Sequence, residues 1–429
     1  MSNASGTIPV TGRYRLLGHP TDLAGHVDAL GPVPLPSGRQ RGWREWFVSV
    51  LEASGLAGRG GAGFPAAIKL AVAHAAGPGG TVLVNGMEGE PASDKDKLLL
   101  IRAPHLVLDG AQLLAAATGA RQVIVAVPAG REHVAAAVTA ALTERVGTPH
   151  SPVPETIVRP PDRFIGGEES ALAAWVDSGR PLPSFRPDKG TALRIGRKGA
   201  LVQNTETLAH VAMIARTGPD VFRAHGLVED PGTSLVTISG AVEHPGVVEV
   251  DRGTPLLEIA NRATPLGTPQ AMLVGGYGGA WVGPDQFSTP YASLSLRAVG
   301  ATAGVGIVIV LGEEVCGLME TARIVHYLAG QSAGQCGPCV YGLPAIADDV
   351  TRLARGHADA GLPARLERRL TEVDGRGACR HPDGAVNVAR SALRVFAADV
   401  DQHAGGTACR HWNRATQLRF PAILRAAAS

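Results

Sequence analysis

The chain has 429 residues, 45% of them hydrophobic and only 4% aromatic, and its 40 Lys and Arg against 38 Asp and Glu leave a formal charge of +2. That length gives room for roughly two or three domains with cores of their own, and so balanced a surface argues against nucleic acid or an anionic membrane as a partner. The 55 Gly and 31 Pro imply many turns and close backbone approaches rather than long repetitive helices.

The opening "MSNASGTIPVTGRYR" has no apolar stretch of the kind a secretory signal needs. Residues 1–42 read as an irregular lead-in. "WREWFVSVLEAS" then places Trp43, Trp46, Phe47, Val50 and Leu51 at helical spacing, with Gly55 as terminator. "GLAGRGGAGFPAAIKL" (55–70) follows, and its Pro65 suits the first turn of a second helix. "TVLVNG" (81–86) and "QVIVAVP" (122–128) read as buried strands flanking helical "PHLVLDGAQLLAAATG". This βαβ unit predicts an α/β domain over 43–229 with a largely parallel sheet.

Near 230 the composition changes. "TSLVTISGAVEHPGVVEVDRGTPLLEIANRA" predicts two strands joined by a Gly/Pro turn, then a helix, opening a small module over 230–311. Its last run, "ATAGVGIVIVL", is too short to cross a bilayer and reads as a buried strand. From 312 to 429 the pattern is helical and carries all five cysteines, Cys316, Cys336, Cys339, Cys379 and Cys409. An odd, clustered set predicts metal or redox chemistry in a reducing, cytoplasmic setting rather than a disulfide frame.

Two motifs carry chemistry. Gly58-x-Gly60-x-x-Gly63 matches the dinucleotide fingerprint, but that reading needs a strand before the glycines and an acid about 20 residues on. A helix precedes them here and "TVLVNG" ends in Asn, so a Rossmann turn is rejected. Glycines ahead of a helix can still cradle a phosphate, with Arg59 and Lys69 adding charge; the plainer alternative is a mobile turn. Cys336-Gly-Pro-Cys339 spells a thioredoxin-type dithiol, yet it follows a helical run rather than a buried strand. Zinc on the same residues is a further alternative.

"VNGMEGEPASDKDKLLL" (84–100), "RFIGGEESALAAWVDSGRP" (163–181) and "ALVQNTETLAHVAMI" (200–214) stand in order with the glycine loop. Together the four stretches resemble the NADH-binding flavoprotein subunit of respiratory complex I and the matching subunits of NAD-linked hydrogenases and formate dehydrogenases. The resemblance runs from about 45 to 400. It implies an FMN-binding α/β domain, an inserted β-grasp module of the soluble-ligand-binding kind, and a C-terminal helical iron–sulfur domain. By matching positions it assigns Arg59, Gly60, Gly61, Ala62, Gly63, Phe64, Lys69, Asn85, Glu88, Phe164, Gly167, Glu168, Gln203 and Asn204 to cofactor binding. Glu90 and Glu169 would lie near the nicotinamide nucleotide. Taken alone, the Glu168–Glu169 pair also reads as acids favoured at a helix N-terminus.

The family reading of the cysteines is a [4Fe–4S] cluster. Ala333 stands where the first ligand belongs, leaving Cys336, Cys339 and Cys379, with Cys409 assigned as the replacement. His381 and Cys316 are other ways to complete the set, and a three-iron cluster or none are the remaining outcomes. Met87, Gln203 and Phe164 replace the family's Asp, Asn and Tyr, and the aromatics that would sandwich adenine are missing at Val72 and Lys189, leaving Phe64 as the one match and Phe185 as a substitute from a shifted loop. The implied activity is electron transfer from NADH through FMN and a cluster to an iron–sulfur or ferredoxin-like partner, reaching a membrane only through other subunits. The alternatives are a relay without NAD and a paralogue depleted of cofactors that serves binding or structure.

Overall fold

The computed structural model describes residues 15–37, 42–186 and 191–421. The lead-in is not wholly irregular: α1 (Leu23–Leu30) is capped by the Asp22 carboxylate, which accepts from Gly25 N. Next come α2 (Trp43–Ser54) and α3 (Ala66–Ala75). Gly55 ends α2 at φ 68°, as its position predicts. Trp43, Phe47 and Leu51 are buried, but Trp46 is 41% exposed, so the buried stripe is narrower than the pattern suggests.

The first sheet holds β1 (Thr81–Asn85), β2 (Gln122–Ala126), β3 (Glu155–Val158), β4 (Leu193–Ile195) and β5 (Lys198–Asn204) in the order β3-β2-β1-β5-β4. All pairs are parallel except the β4–β5 hairpin. Alternation sorts the strands' side chains into two cores. Val82, Val84, Val123, Val125 and Leu201 join one core with α5 (Pro104–Thr118) and α8 (Thr205–Thr217). Leu83, Ile124 and Val202 pack with Leu172 of α7 (Glu169–Ser178) in the other. α4 (Lys95–Arg102) precedes α5, α6 (Glu132–Arg145) links β2 to β3, and α9 (Pro219–Arg223) follows α8. Among the described residues no single helix is long and apolar enough to cross a membrane; α4 and α5 pass that test only together, bent by 95°.

A two-residue ladder, β6 (Gly226–Leu227) with β7 (Asp230–Pro231), leads into the second sheet. That sheet contains β8 (Thr233–Gly240), β9 (Gly246–Asp251), β10 (Pro269–Val274), β11 (Ala280–Val282) and β12 (Ile307–Gly312) in the order β11-β10-β12-β8-β9. β8 and β9 form the predicted antiparallel pair, followed by α10 (Leu256–Asn261), and the short helix α11 (Ser293–Ala298) precedes β12. β12 is the buried strand read from "GIVIVL", parallel to β8. Five helices follow among the described residues: α12 (Gly317–Gly330), α13 (Leu343–Ala354), α14 (Leu362–Val373), α15 (His381–Val395) and α16 (Ala397–Ala404), sharing one core.

Candidate cofactor cleft

β1 and β5 lie side by side with Asn85 opposite Asn204 at their carboxyl ends. Their neighbours on either side lie outward in the strand order, so this is the place where an open parallel sheet offers a crevice. The glycine loop arches over it. Gly58 N donates to Phe64 O at 2.9 Å and Ala66 N to Leu56 O at 2.9 Å, so the loop is closed on itself rather than a loose connector. α2 runs into it, which disposes of the Rossmann reading. A Cβ on Gly60 would sit 3.0 Å from Asn204 Cβ, and Gly61 adopts φ 112°, a conformation that disfavours any side chain.

Beneath the loop lies a buried polar floor. Lys95, 0% exposed, donates to Glu206 Oε2 at 2.6 Å and to the Arg59 carbonyl at 3.1 Å. Asp96 accepts from Asn204 Nδ2 at 2.8 Å and Thr205 Oγ1 at 2.6 Å. Burial opposes the charge on Glu206, but the Lys95 ammonium and a hydrogen bond with His210 outweigh it and bring its pKa to about 2. Burial also works against the Lys95 ammonium, yet Asp96 and Glu206 raise its pKa. Glu88 sits at φ 38°, unusual for a residue with a side chain. Its carboxylate accepts from Ser93 Oγ (2.6 Å), Asp96 N (2.9 Å) and Lys97 N (3.0 Å), tying the loop after β1 to the start of α4.

Most of the residues assigned from sequence meet around this floor. Gly60, Gly61, Asn85, Gly167, Glu168 and Asn204 line two adjoining pockets that together form one cleft. Glu88, Glu90 and Phe164 face one part, and Ala62, Gly63, Phe64, Lys69, Glu169 and Gln203 the other. Arg59 departs from expectation: its guanidinium donates to the carbonyls of Thr233 (3.2 Å) and Pro231 (3.0 Å), so it anchors the entry into β8 instead of standing open to a phosphate. The Glu168 carboxylate caps α7, accepting from Ala171 N at 2.8 Å, as the helix-terminus reading has it. Glu169 ion-pairs with Lys69 and with Arg186 (3.2 Å) at the mouth. Val72 lines that mouth, Phe185 stands 70% exposed beside it, and Lys189 lies outside the described residues.

Glu90 is buried at the inner part. Its Oε2 accepts from Tyr277 N at 2.9 Å and its Oε1 from Ala92 N at 3.4 Å. Burial raises its pKa from 4.5 to about 7 despite those bonds, so it can carry a proton near neutrality. Sequence reasoning misses Lys95 and Asp96 because "SDKDK" looks like a solvated charge run, although α4 begins within it and turns apolar from Leu98, and it misses Glu206, far along the chain at the start of α8.

The turn before α15 forms the opposite wall. Gly377, Ala378, Cys379 and Arg380 line the same cleft as the glycine loop. Cys339 lies in a single wide turn, Pro338–Gly342, following α12, so the buried strand a thioredoxin-type dithiol requires is not there. The thiols of Cys336 and Cys339 are near enough to shift one another's ionisation, and Cys379 acts on Cys339 electrostatically. Burial raises Cys339 to about 12 and Cys379 to about 11. At Cys336 burial also opposes ionisation, but backbone N–H groups of Ala378 and Cys339 outweigh it and the pKa falls.

Cys409 is not part of this wall. It lies with Cys316 and His403, their ligand atoms all within 4.8 Å of one another. Cys316 caps the N-terminus of α12, whereas the cysteine loop follows its C-terminus, and the helix of 14 residues between them spans about 21 Å. The assignment of Cys409 as replacement cluster ligand is therefore corrected by geometry, and Cys316 does not return to the loop either. His381 Nε2 is engaged by the Leu328 carbonyl at 2.8 Å. Next to Cys339 stands a different oxygen, the Ser332 hydroxyl, which hydrogen-bonds the thiol.

Two family models match. The Nuo51 FMN-binding domain takes in residues 51–213, and the iron–sulfur binding region of NADH-ubiquinone oxidoreductase F takes in 319–403. The chain belongs to this family of flavoproteins. It is 28% identical over 372 residues to an F-type component of the NADH-quinone oxidoreductase of Rhizobium meliloti, covering 83% of this chain and 88% of the relative. To the mitochondrial NADH dehydrogenase [ubiquinone] flavoprotein 1 of Dictyostelium discoideum it is 26% identical, covering 83% and 78%. A chain of the NAD+-reducing [NiFe]-hydrogenase in its air-oxidised crystal form superposes with a TM-score of 0.76 at 30% identity, over 85% of this chain and 63% of the other. This chain thus spans somewhat less than two thirds of that hydrogenase chain.

The residues present fit both cofactor types that the matched domains name, to different degrees. A glycine cradle that a Cβ would crowd, flanked by Asn85 and Asn204, suits FMN. The loop after α12 offers two thiols and the turn before α15 a third to an iron–sulfur cluster, with no fourth cysteine beside them among the described residues.

Proposed function

We propose that the chain is an oxidoreductase subunit that takes a hydride from NADH on FMN and passes electrons through an iron–sulfur cluster to a partner protein. The observation that carries this is the single cleft walled by the glycine loop on one side and by Cys379 and Arg380 on the other. Flavin supplies the step from a two-electron donor to one-electron acceptors. Hydride transfer needs no protein nucleophile, so the chain's task is positioning. Gly60, Gly61, Ala62 and Gly63 would let backbone approach the phosphate of a bound FMN, with Lys69 adding charge, and Asn85, Gly167, Gln203 and Asn204 would contact its ring. Glu88 and Glu168 hold the surrounding loops in place through their backbone hydrogen bonds. Glu90, raised to about 7 by burial, would be largely protonated on the acid side of neutrality and would then add little negative charge beside a bound flavin. Glu169 and Phe64 face the nucleotide side. Cys336, Cys339 and Cys379 hold the cluster, and the second sheet serves as a β-grasp module between the two cofactor regions.

The partner is an iron–sulfur or ferredoxin-like subunit of a cytoplasmic or membrane-attached complex. A second reading, in which electrons arrive from another protein instead of NADH, is favoured by Val72 at the mouth where the family places an aromatic ring. Anaerobic purification with flavin and iron analysis, followed by NADH addition, separates them. Flavin and iron bound, with bleaching by NADH, is the expected result. Bound flavin that stays oxidised favours the second reading, and protein without flavin or iron overturns both.

A further inference from the structure

At the far end of α12 from the cysteine loop, three metal-type ligands from three separate elements converge. Cys316, 2% exposed, stands at the N-terminus of α12; His403, 0% exposed, is on α16; and half-buried Cys409 lies in the turn beyond it. The His403 Nδ1–H donates to the Leu353 carbonyl at 3.2 Å, which fixes the ring and leaves the Nε2 lone pair facing the group. A backbone carbonyl holding the remote nitrogen is the usual support for a metal-binding imidazole. In the absence of metal the Cys409 backbone N–H occupies that lone pair at 2.7 Å. A metal on Nε2 would displace that N–H, and Cys409 is the one member of the three that is not fully buried.

We propose that Cys316, His403 and Cys409 form a separate Zn2+ site. Two thiolates and one imidazole are a soft, borderline set suited to zinc, with a water completing the tetrahedron on the exposed Cys409 side. On binding, each thiol gives its proton to solvent and no electron changes hands. The site fixes the root of a strap that runs back along α12. From there Thr416 Oγ1 donates to Glu320 Oε2 at 2.6 Å, Gln417 Oε1 accepts from Gly312 N at 3.0 Å, and Phe420 packs against Tyr277 and Tyr327. At the strap's tip Arg419 pairs with Asp94, immediately before α4 of the cofactor floor. The zinc thus ties the end of the helical region to the cleft without belonging to it.

The proposal does not depend on flavin or NADH, so it is tested by metals alone. Wild-type protein incubated with Zn2+ and desalted should retain about one zinc per chain. In Cys316→Ser and Cys409→Ser this falls to under about a tenth while iron is unchanged, and Cys339→Ser does the reverse. Should the Ser variants fold poorly, alkylation of the wild type decides: zinc should protect Cys409 from a maleimide and a chelator should restore the reaction. Absence of retained zinc, iron lost together with zinc in Cys409→Ser, or a Cys316–Cys409 disulfide in anaerobically purified protein would each overturn the proposal.

Discussion

The two ends of the cleft are built differently. At the floor, Lys95, Asp96, Glu206 and Thr205 are all at most 5% exposed and each polar group is matched by another. At the mouth, Lys69, Glu169 and Arg186 form ion pairs that remain 20 to 27% exposed, and Phe185 projects into solvent. A buried network keeps one geometry because every alternative leaves a charge unpaired in a poor solvent for it. Partly hydrated pairs exchange with water at little cost. The floor therefore suits a group held permanently, and the mouth suits one that enters and leaves at every turnover.

The largest expected effect comes from breaking the floor. Lys95→Met leaves Glu206 buried without its counter-ion, which costs about 3–5 kcal/mol. Urea unfolding should show that loss as a lower midpoint, with flavin content falling alongside it. Adding Glu206→Gln should restore much of the loss, because the orphaned charge goes with it. Equal stability of the single and double variants would mean that packing of the Lys95 stem, rather than its charge, holds the floor.

The same contrast explains what could be read from the sequence. β1, β2, β8, β9 and β12 announce themselves as short β-branched runs, and the glycine loop by composition. β4 and β5 do not stand out: "LRI" is too short to show a period, and "KGALVQN" passes from charge to polar amide with only three apolar residues between. α1 hides in a stretch whose Gly and Pro suggest only loops. The site is legible where one motif suffices, as at Gly60 and Asn85. It is not where the partner lies far along the chain, since Arg59 finds Thr233 across 174 residues and Cys409 finds Cys316 through the packing of α16 beside α13 and α15. Four ordered motifs suffice for the family. The missing first cysteine invites a substitute that only tertiary geometry can refuse.

A smaller effect is expected from the proton on Glu90. Its folded pKa, about 7, lies above the ordinary 4.5, so the unfolded chain releases the proton first as pH rises. Its contribution is whole below pH 4.5, shrinks between there and 7, and is gone above, a swing of about 3 kcal/mol. Glu249, buried on β9 where it accepts from Thr233 Oγ1 and Leu16 N and also raised to about 7, titrates across the same window. His105 and His210, both lowered to about 4 by burial, titrate with the opposite sign over much of this window, so the readout is the difference from wild type: the melting temperature of Glu90→Gln relative to wild type should rise between pH 4.5 and 7, and that of Glu90→Gln with Glu249→Gln should rise further. An unchanged slope in the double variant would place the titrating groups elsewhere.

The smallest effect on stability, and the sharpest test of the contrast, comes from the mouth. Arg186 donates to Glu169 at 3.2 Å and to the Thr191 carbonyl, with its side chain 20% exposed. Water replaces both bonds readily, so Arg186→Ala should change stability by less than about 1 kcal/mol. NADH binding should respond more, because Arg186 and Lys69 are cations facing an entry path for a dianionic nucleotide. Dissociation constants from flavin-fluorescence titration should rise several-fold at low salt, and the difference from wild type should shrink as salt screens the mouth. A loss of stability comparable to that of Lys95→Met would show that mouth and floor are one cooperative unit. An unchanged NADH affinity at low salt would instead remove Arg186 from the entry path and leave Lys69 as the cation that matters.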